Sequence, residues 1–405
     1  MVNSHCDQNE NSLSRRSFLK TSAVAAGGVA LASPLSLAPP VHAAGSDILR
    51  IGLIGCGERG RGAAEQAANA DPNVRLVALG DTFKDQIDAA IPLLKDGIGD
   101  KFAVQPENCF TGFDAYKKVL DCGVDVVVLA TSPHFRPQHL KAAVEAGKHC
   151  FVEKPVAVDA PGVRSVLATC EEAKKKGLSI VSGLCYRYEH AKQETFKRIH
   201  DGAVGDIVAL NTVYNTSFTR FIPRKASWSD MEYQIRNWFY YTWLSGDHIV
   251  EQHVHSLDKV AWAMQDEYPI KAYGVGGRQS RTDPSLGHIF DHHSVVYEFK
   301  NGVKAYSQCR QQVGCYTEVT DQIIGNKGVC NVMKHEIVGA NPWRHKTTKK
   351  DADDMYQNEH NELFASIRAG KPINNGNYMS YSSLMAIMGR MATYTGQLIT
   401  WDMAL

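Results

Sequence analysis

Ile48-Leu49-Arg50-Ile51-Gly52-Leu53-Ile54-Gly55-Cys56-Gly57-Glu58-Arg59-Gly60 decides the fold. A short, mostly apolar run reads as a strand, and Gly60 to Ala68 follows with small residues at helical spacing. Between them lies G-x-G-x-x-G. In that setting each glycine has a mechanical reason: Gly55 permits the sharp turn, Gly57 lets backbone amides approach a pyrophosphate, and Gly60 lets the helix pack closely on the strand. The helix N-terminus then faces the phosphates. Asp81 closes the next apolar run, Val74 to Leu79, just where a carboxylate accepts hydrogen bonds from ribose hydroxyls and repels a 2'-phosphate, so NAD is expected rather than NADP.

Working outward, Val124 to Ala130, His149 to Val152 and Leu178 to Ser182 are further apolar runs of strand length, with a helical stretch at Gln138 to Ala146. Nearly all-apolar strands belong to a sheet covered on both faces, and the alternation with helices implies a parallel one. From Asp206 the strands lengthen and alternate, as in Ser294 to Phe299, and Lys300-Asn301-Gly302 supplies a hairpin turn into Val303 to Gln312. Helical spacing returns at Tyr356 to Ala369 and Ser380 to Tyr394, with Gly396 as a stop. The expected architecture is α/β: a doubly wound parallel Rossmann sheet over 47–183, then an α/β domain with an open, mostly antiparallel sheet over 184–405, its terminal helices free to pack back on the first domain.

Residues 1–43 read differently. Arg15 and Arg16 with Lys20 precede a small-residue apolar run from Ser22 to Leu37, and Val41-His42-Ala43 offers a cleavage site, the layout of a twin-arginine signal. Pro34 and the Ala/Gly content argue against a membrane span. Export to the periplasm is therefore expected. A formal net charge of +1 in 405 residues provides no field for nucleic acid or an anionic membrane. Ten cysteines without a C-x-x-C pair argue against structural zinc and a disulfide framework.

Glu153-Lys154-Pro155 follows the strand ending at Val152. With the glycine loop, Asp81, the turn from Thr131 to His139, Gly183-x-x-x-Arg187 and a segment carrying Glu251, His255 and Asp258, it resembles the Gfo/Idh/MocA oxidoreductase family over nearly the whole chain after the signal. That resemblance implies a lysine, Lys154, beside the nicotinamide that can serve as the base for a substrate hydroxyl, and a histidine, His255, that binds that hydroxyl and shares in the proton transfer with Lys154 as its partner. Removing hydride from a secondary alcohol needs such a base. Glu251 stands where the family usually has aspartate, and His253 where it has a small residue. Lys154, His255 and Glu251 are the expected catalytic groups. Cofactor contacts are expected from Gly55, Cys56, Gly57, Glu58, Arg59, Gly60 and Asp81, from Thr131, Ser132, His134 and His139, and from Glu153, Lys154, Arg187 and Trp238.

In one continuous helix Glu251 and His255, four apart, would share a face. Three histidines and two acids between Asp247 and His255 invite a metal reading, but no ligand template is matched and no metal is expected. Tyr186, Arg187, Trp243, His248 and His253 are expected at the substrate, with Arg187 either holding a substrate oxygen or clamping a carboxylate. Trp238, Tyr240, Tyr241 and Trp243 suit the apolar face of a sugar, though aromatic runs more often form a core or a subunit interface. Asp291-His292-His293 opens a strand and faces either the cleft or, more in keeping with its polarity, the surface.

The resemblance implies a carbohydrate or polyol substrate, and a homo-oligomer is expected. Export adds a constraint, since a released cofactor would be lost outside the inner membrane. A cycle that regenerates NAD within one turnover solves this, either a glycosidase that oxidises, eliminates and re-reduces or an oxidoreductase passing hydride between two sugars. An ordinary dehydrogenase and a non-catalytic sugar or nucleotide sensor are the alternatives.

Overall fold

The computed structural model describes residues 47–346 and 354–405, so the expected signal at 1–43 lies outside the described residues. A parallel sheet of six strands comes first, in the order β3-β2-β1-β4-β5-β6: β1 Leu49–Ile54, β2 Val74–Asp81, β3 Cys109–Thr111, β4 Val126–Leu129, β5 His149–Val152 and β6 Ile180–Ser182. Its central strand is the one read first in the sequence, and the chain reverses direction of travel across the sheet between β1 and β4. That is the crevice where open α/β sheets bind ligands. β4 is buried at every position, as a strand covered on both faces must be.

Helix Glu58–Asn69 lies on this sheet through Ala63, Ala64, Ala67 and Ala68, all fully buried. Small side chains let the helix axis approach, and Gly60 carries this to the limit: a Cβ there would stand 1.8 Å from the Gly55 carbonyl oxygen. Helix Met355–Arg368, late in the chain, packs on the same layer through Leu363, Phe364 and Ile367.

A mixed sheet of nine strands follows, ordered β14-β13-β12-β11-β7-β10-β9-β8-β15. It is built from β7 Ile207–Thr216, β8 Lys271–Gly277, β9 His292–Glu298, β10 Lys304–Gln311, β11 Glu318–Gly325, β12 Gly328–Asn331, β13 Glu336–Gly339, β14 Trp343–Arg344 and β15 Ile399–Thr400. Only β7 and β10 pair in parallel. The hairpin read at Lys300-Asn301-Gly302 joins β9 to β10, with Gly302 at φ +83° and Val296 opposite Tyr306. One face is covered by helices Val254–Ala263 and Gly376–Thr395, the latter stopped by Gly396 at φ +68°. The other leaves Tyr273, Val275 and Tyr306 exposed.

Two expectations need correction. The segment from Asp247 to Asp258 is not one helix: a short turn of helix, His248–Glu251, breaks at Gln252–His253 before Val254–Ala263 begins, and Asp247 takes φ +80° at its start. Nor is Asp291-His292-His293 a surface stretch, for Asp291 and His293 are buried.

Candidate active site

Gly55 turns at φ +99°, and a Cβ there would meet the Ala130 and Thr131 backbone at 2.6 Å. Gly57 is the opposite case, with open space where its Cβ would be. That space belongs to a cavity of about 660 Å³ along the carboxyl ends of β1, β2 and β4. Gly55, Gly57, Glu58, Arg59, Gly60 and Asp81 line it, as do Thr131, Ser132, His139 and Trp238. A cradle that any side chain at 57 would fill, at the N-terminus of a twelve-residue helix, suits a pyrophosphate. The residues present therefore fit a dinucleotide.

Asp81 does two jobs. Its carboxylate accepts from the Cys56 backbone N–H at 2.7 Å and from Phe83 N–H at 2.9 Å, which fixes the glycine loop on β2. Burial raises its pKa while these amides oppose the shift. Cys56 is fully buried with its amide already given to Asp81 and its thiol directed at the Gly80 carbonyl, so it shapes the loop rather than touching the cavity.

A second wall comes from residues 220–239, which include Arg220, Ile222, Arg236, Trp238 and Phe239. Arg236 pins this wall to the Rossmann layer: it bonds Asp85 at 2.9 and 3.1 Å and lies 3.9 Å over the Phe83 ring. Nothing in the spacing of the sequence announced that contact.

The glycine loop is wired to the lysine segment by charge. Arg59 bonds Glu153 through Nε and Glu359 through Nη2 at 2.9 Å, with Glu153 and Glu359 both buried. Burial pushes the Glu153 carboxyl up, but Arg59, Lys154 and Arg136 outweigh it and hold the pKa low. Glu359 moves the other way, raised well above the carboxylate range by burial and by Glu153. A fully buried Arg136 adds a second brace, donating to the carbonyls of Pro155 and Thr131. It thereby joins the lysine segment to the cavity wall. Burial lowers its pKa to about 10.

Beyond the cis Lys154–Pro155 peptide the ammonium of Lys154 donates to Glu251 twice, to its carbonyl at 2.6 Å and to Oε1 at 2.7 Å. The other carboxylate oxygen, Oε2, is buried without a partner. The break after Glu251 explains how both acceptors reach one cation, since a helix end leaves carbonyls unpaired. His255 stands edge-on to Tyr186, ring centroids 5.3 Å apart, with Nδ1 buried and unpartnered. Burial holds its pKa well below the histidine range, and the cations of Lys154, Lys259 and Arg59 add to that. The imidazole is thus neutral, a donor at one nitrogen and an acceptor at the other.

The remaining expected residues divide. His139 faces the cavity with Nδ1 3.3 Å from Thr131 Oγ1, and burial with Arg136 lowers its pKa to about 4. His134 packs edge-on against Trp243, whose indole N–H donates to Gln234. Tyr240 and Tyr241 are core. Arg187 resolves in favour of the carboxylate clamp: its guanidinium is spent on Asp258 and Asp266, 4.2 Å from the Tyr378 ring centroid, and it contacts neither cavity nor Lys154. His253 is fixed in the interior by Ser307 at 2.7 Å and Thr212 at 3.4 Å under β10 and β7, and His248 is buried against Asp247. Neither lines the cavity.

Residues 49–181 match the Gfo/Idh/MocA model, described as an oxidoreductase family with an NAD-binding Rossmann fold, and residues 12–32 match the twin-arginine translocation signal, which directs export to the periplasm. No described helix is long and apolar enough to cross a membrane. The chain is 25% identical over 257 residues to 2,7-anhydro-N-acetylneuraminate hydratase of Escherichia coli K12, covering 62% of this chain and 64% of that one. It is 27% identical over 221 residues to a glycosyl hydrolase family 109 protein of Shewanella baltica OS185, covering 50% and 46%. The chain thus spans under two thirds of the length of these curated relatives. Among solved structures, an aldose-aldose oxidoreductase from Caulobacter crescentus complexed with glycerol superposes with a TM-score of 0.68 at 19% identity, covering 87% of this chain and 99% of that one. At that identity the likeness establishes the fold.

Proposed function

From the premise that residues 49–181 carry the NAD-binding Rossmann fold of the Gfo/Idh/MocA oxidoreductases, we propose that this exported protein is an NAD-dependent enzyme that oxidises a hydroxyl of a sugar, polyol or glycoside and retains its cofactor through a redox-neutral cycle. The observation that carries the reading is Lys154, held by Glu251 at 2.7 Å and joined through Arg136 to the wall of the dinucleotide cavity. NAD, when bound, accepts the hydride from the carbinol carbon. The chain's own residues handle the proton.

A lysine already hydrogen-bonded to a carboxylate can accept a proton only as it gives one up. The 2.7 Å contact supplies the route: Glu251 takes a proton from Nζ while Nζ takes the substrate's hydroxyl proton, and the vacant Oε2 leaves the carboxyl room to keep it. A neutral His255 binds the same hydroxyl, and both transfers reverse when hydride returns. Glu153 positions Lys154 and ties it to the glycine loop.

Export favours retention, and so does the wall at 220–239 that Arg236 closes over the cavity. The relatives named as a hydratase and a glycosidase support a cycle of oxidation, elimination and re-reduction, and the aldose-aldose oxidoreductase supports hydride passage between two sugars. Incubation with glycosides in deuterium oxide, without added NAD, tests the proposal. Continued turnover is expected, with exchange at the carbon next to the oxidised one if elimination is used and without it if two sugars trade hydride. Turnover that stops unless fresh NAD is supplied contradicts retention.

A further inference from the structure

Away from the dinucleotide cavity, three buried side chains converge at the start of helix His248–Glu251: Asp247, His248 and, from β9, His293. One oxygen and two ring nitrogens lie within 4.8 Å of one another. Asp247 Oδ1 is 2.8 Å from His248 Nδ1 and 3.3 Å from His293 Nε2. Asp247 Oδ1 accepts the His248 backbone N–H, yet none of the three ring nitrogens His248 Nδ1, His248 Nε2 and His293 Nε2, all buried, is aligned for a hydrogen bond. Contacts this close without hydrogen-bond alignment leave buried polar atoms without the partner they would have in water.

The far side of two of these groups is fully occupied. His293 Nδ1 is 2.9 Å from Thr393 Oγ1, and Asp247 Oδ2 accepts from Phe290 N–H at 2.9 Å and from the Tyr394 hydroxyl at 2.6 Å. Outer partners that hold the non-ligating atom and aim the other one inward are the habit of metal sites. We propose that Asp247, His248 and His293 bind a divalent first-row transition-metal ion. Two imidazoles and a carboxylate suit zinc or its neighbours and leave coordination positions for water. The site is anchored at three elements, the β9 start, the end of helix Gly376–Thr395 and the turn that carries Glu251. An ion there fixes the segment that presents Glu251 to Lys154, so its loss acts through positioning.

Sequence spacing concealed this site, because His293 lies forty-five residues beyond His248 and read as surface. The test uses untagged protein after removal of the export signal. Metal-free protein prepared with a chelator is titrated with Zn²⁺ by calorimetry, and metal content of the protein as purified is measured by mass spectrometry. About one Zn²⁺ per chain is expected, with a raised melting temperature on binding. His248→Phe, which replaces the orphaned ring by an apolar one of similar size, should fold and bind at least tenfold more weakly, as should His293→Gln. No ion in the purified protein together with no uptake of Zn²⁺ by the metal-free wild type overturns the proposal. Uptake unchanged in both variants overturns it equally.

Discussion

Lys154 has two acceptors on one residue, and the whole proton path of the proposed reaction passes through that contact. Lys154→Ala and His255→Ala are each expected to lower the single-turnover rate by about a hundredfold or more with dinucleotide still bound, as loss of acid-base chemistry requires. Because both groups act on one hydroxyl, the double variant should cost far less than the product of the two. Stopped-flow absorbance of the reduced nicotinamide, beside a count of bound cofactor, measures this; loss of cofactor in either variant would move the residue from chemistry to binding. Histidine also sets the acid limit. His139, buried, has its pKa lowered from 6.5 to about 4. Between those values the unfolded chain holds more protons than the folded one, so stability rises with pH across this window and is lost on acidification from about 6.5 to about 4. His139 alone accounts for about 3 kcal/mol of that loss. His253, His255 and His360, lowered chiefly by burial, act with the same sign. Melting temperature should fall steeply from pH 6.5 to pH 4 and less steeply in His139→Gln; a flat profile would contradict the assignment.

At the scale of elements, the glycine loop, β5 and helix Met355–Arg368 are held by one guanidinium. Arg59→Met leaves the ionised Glu153 buried without the cation bonded to it, and breaking such a pair costs about 3–5 kcal/mol. Urea denaturation should show that loss, with partial recovery when Glu153→Gln is added, since the stranded charge is then gone. Most of the first sheet was legible in the sequence: apolar runs and glycine spacing report local backbone demands, and those demands are local here. β3, only three residues long, lacks the length that makes a run stand out. Glu359 and Arg136 were illegible for a different reason, because their roles depend on partners that pattern cannot see, 300 residues away in the case of Arg59 and Glu359. The broken helix after Glu251 belongs to the same class. Spacing of four is a helical signal only while the helix continues, and the acceptors gathered on Lys154 exist because it stops.

For the whole molecule, the open face of the nine-stranded sheet sets Tyr273, Val296 and Tyr306 side by side on neighbouring strands, with exposed Val275 nearby. The homo-oligomer expected from the sequence would cover this face. Light scattering should give a multiple of the chain mass that Tyr306→Lys with Val275→Glu reduces to one; a wild-type monomer would contradict it. The wall at 220–239 and the twin-arginine signal both favour a retained cofactor, and the proposed redox-neutral cycle depends on it. The direct measurement is the mass and ultraviolet spectrum of what leaves the purified protein on denaturation. Release of about one NAD or NADH per chain is the predicted result. Protein that emerges empty and binds NAD only at millimolar concentration, or that releases NADP, would contradict it.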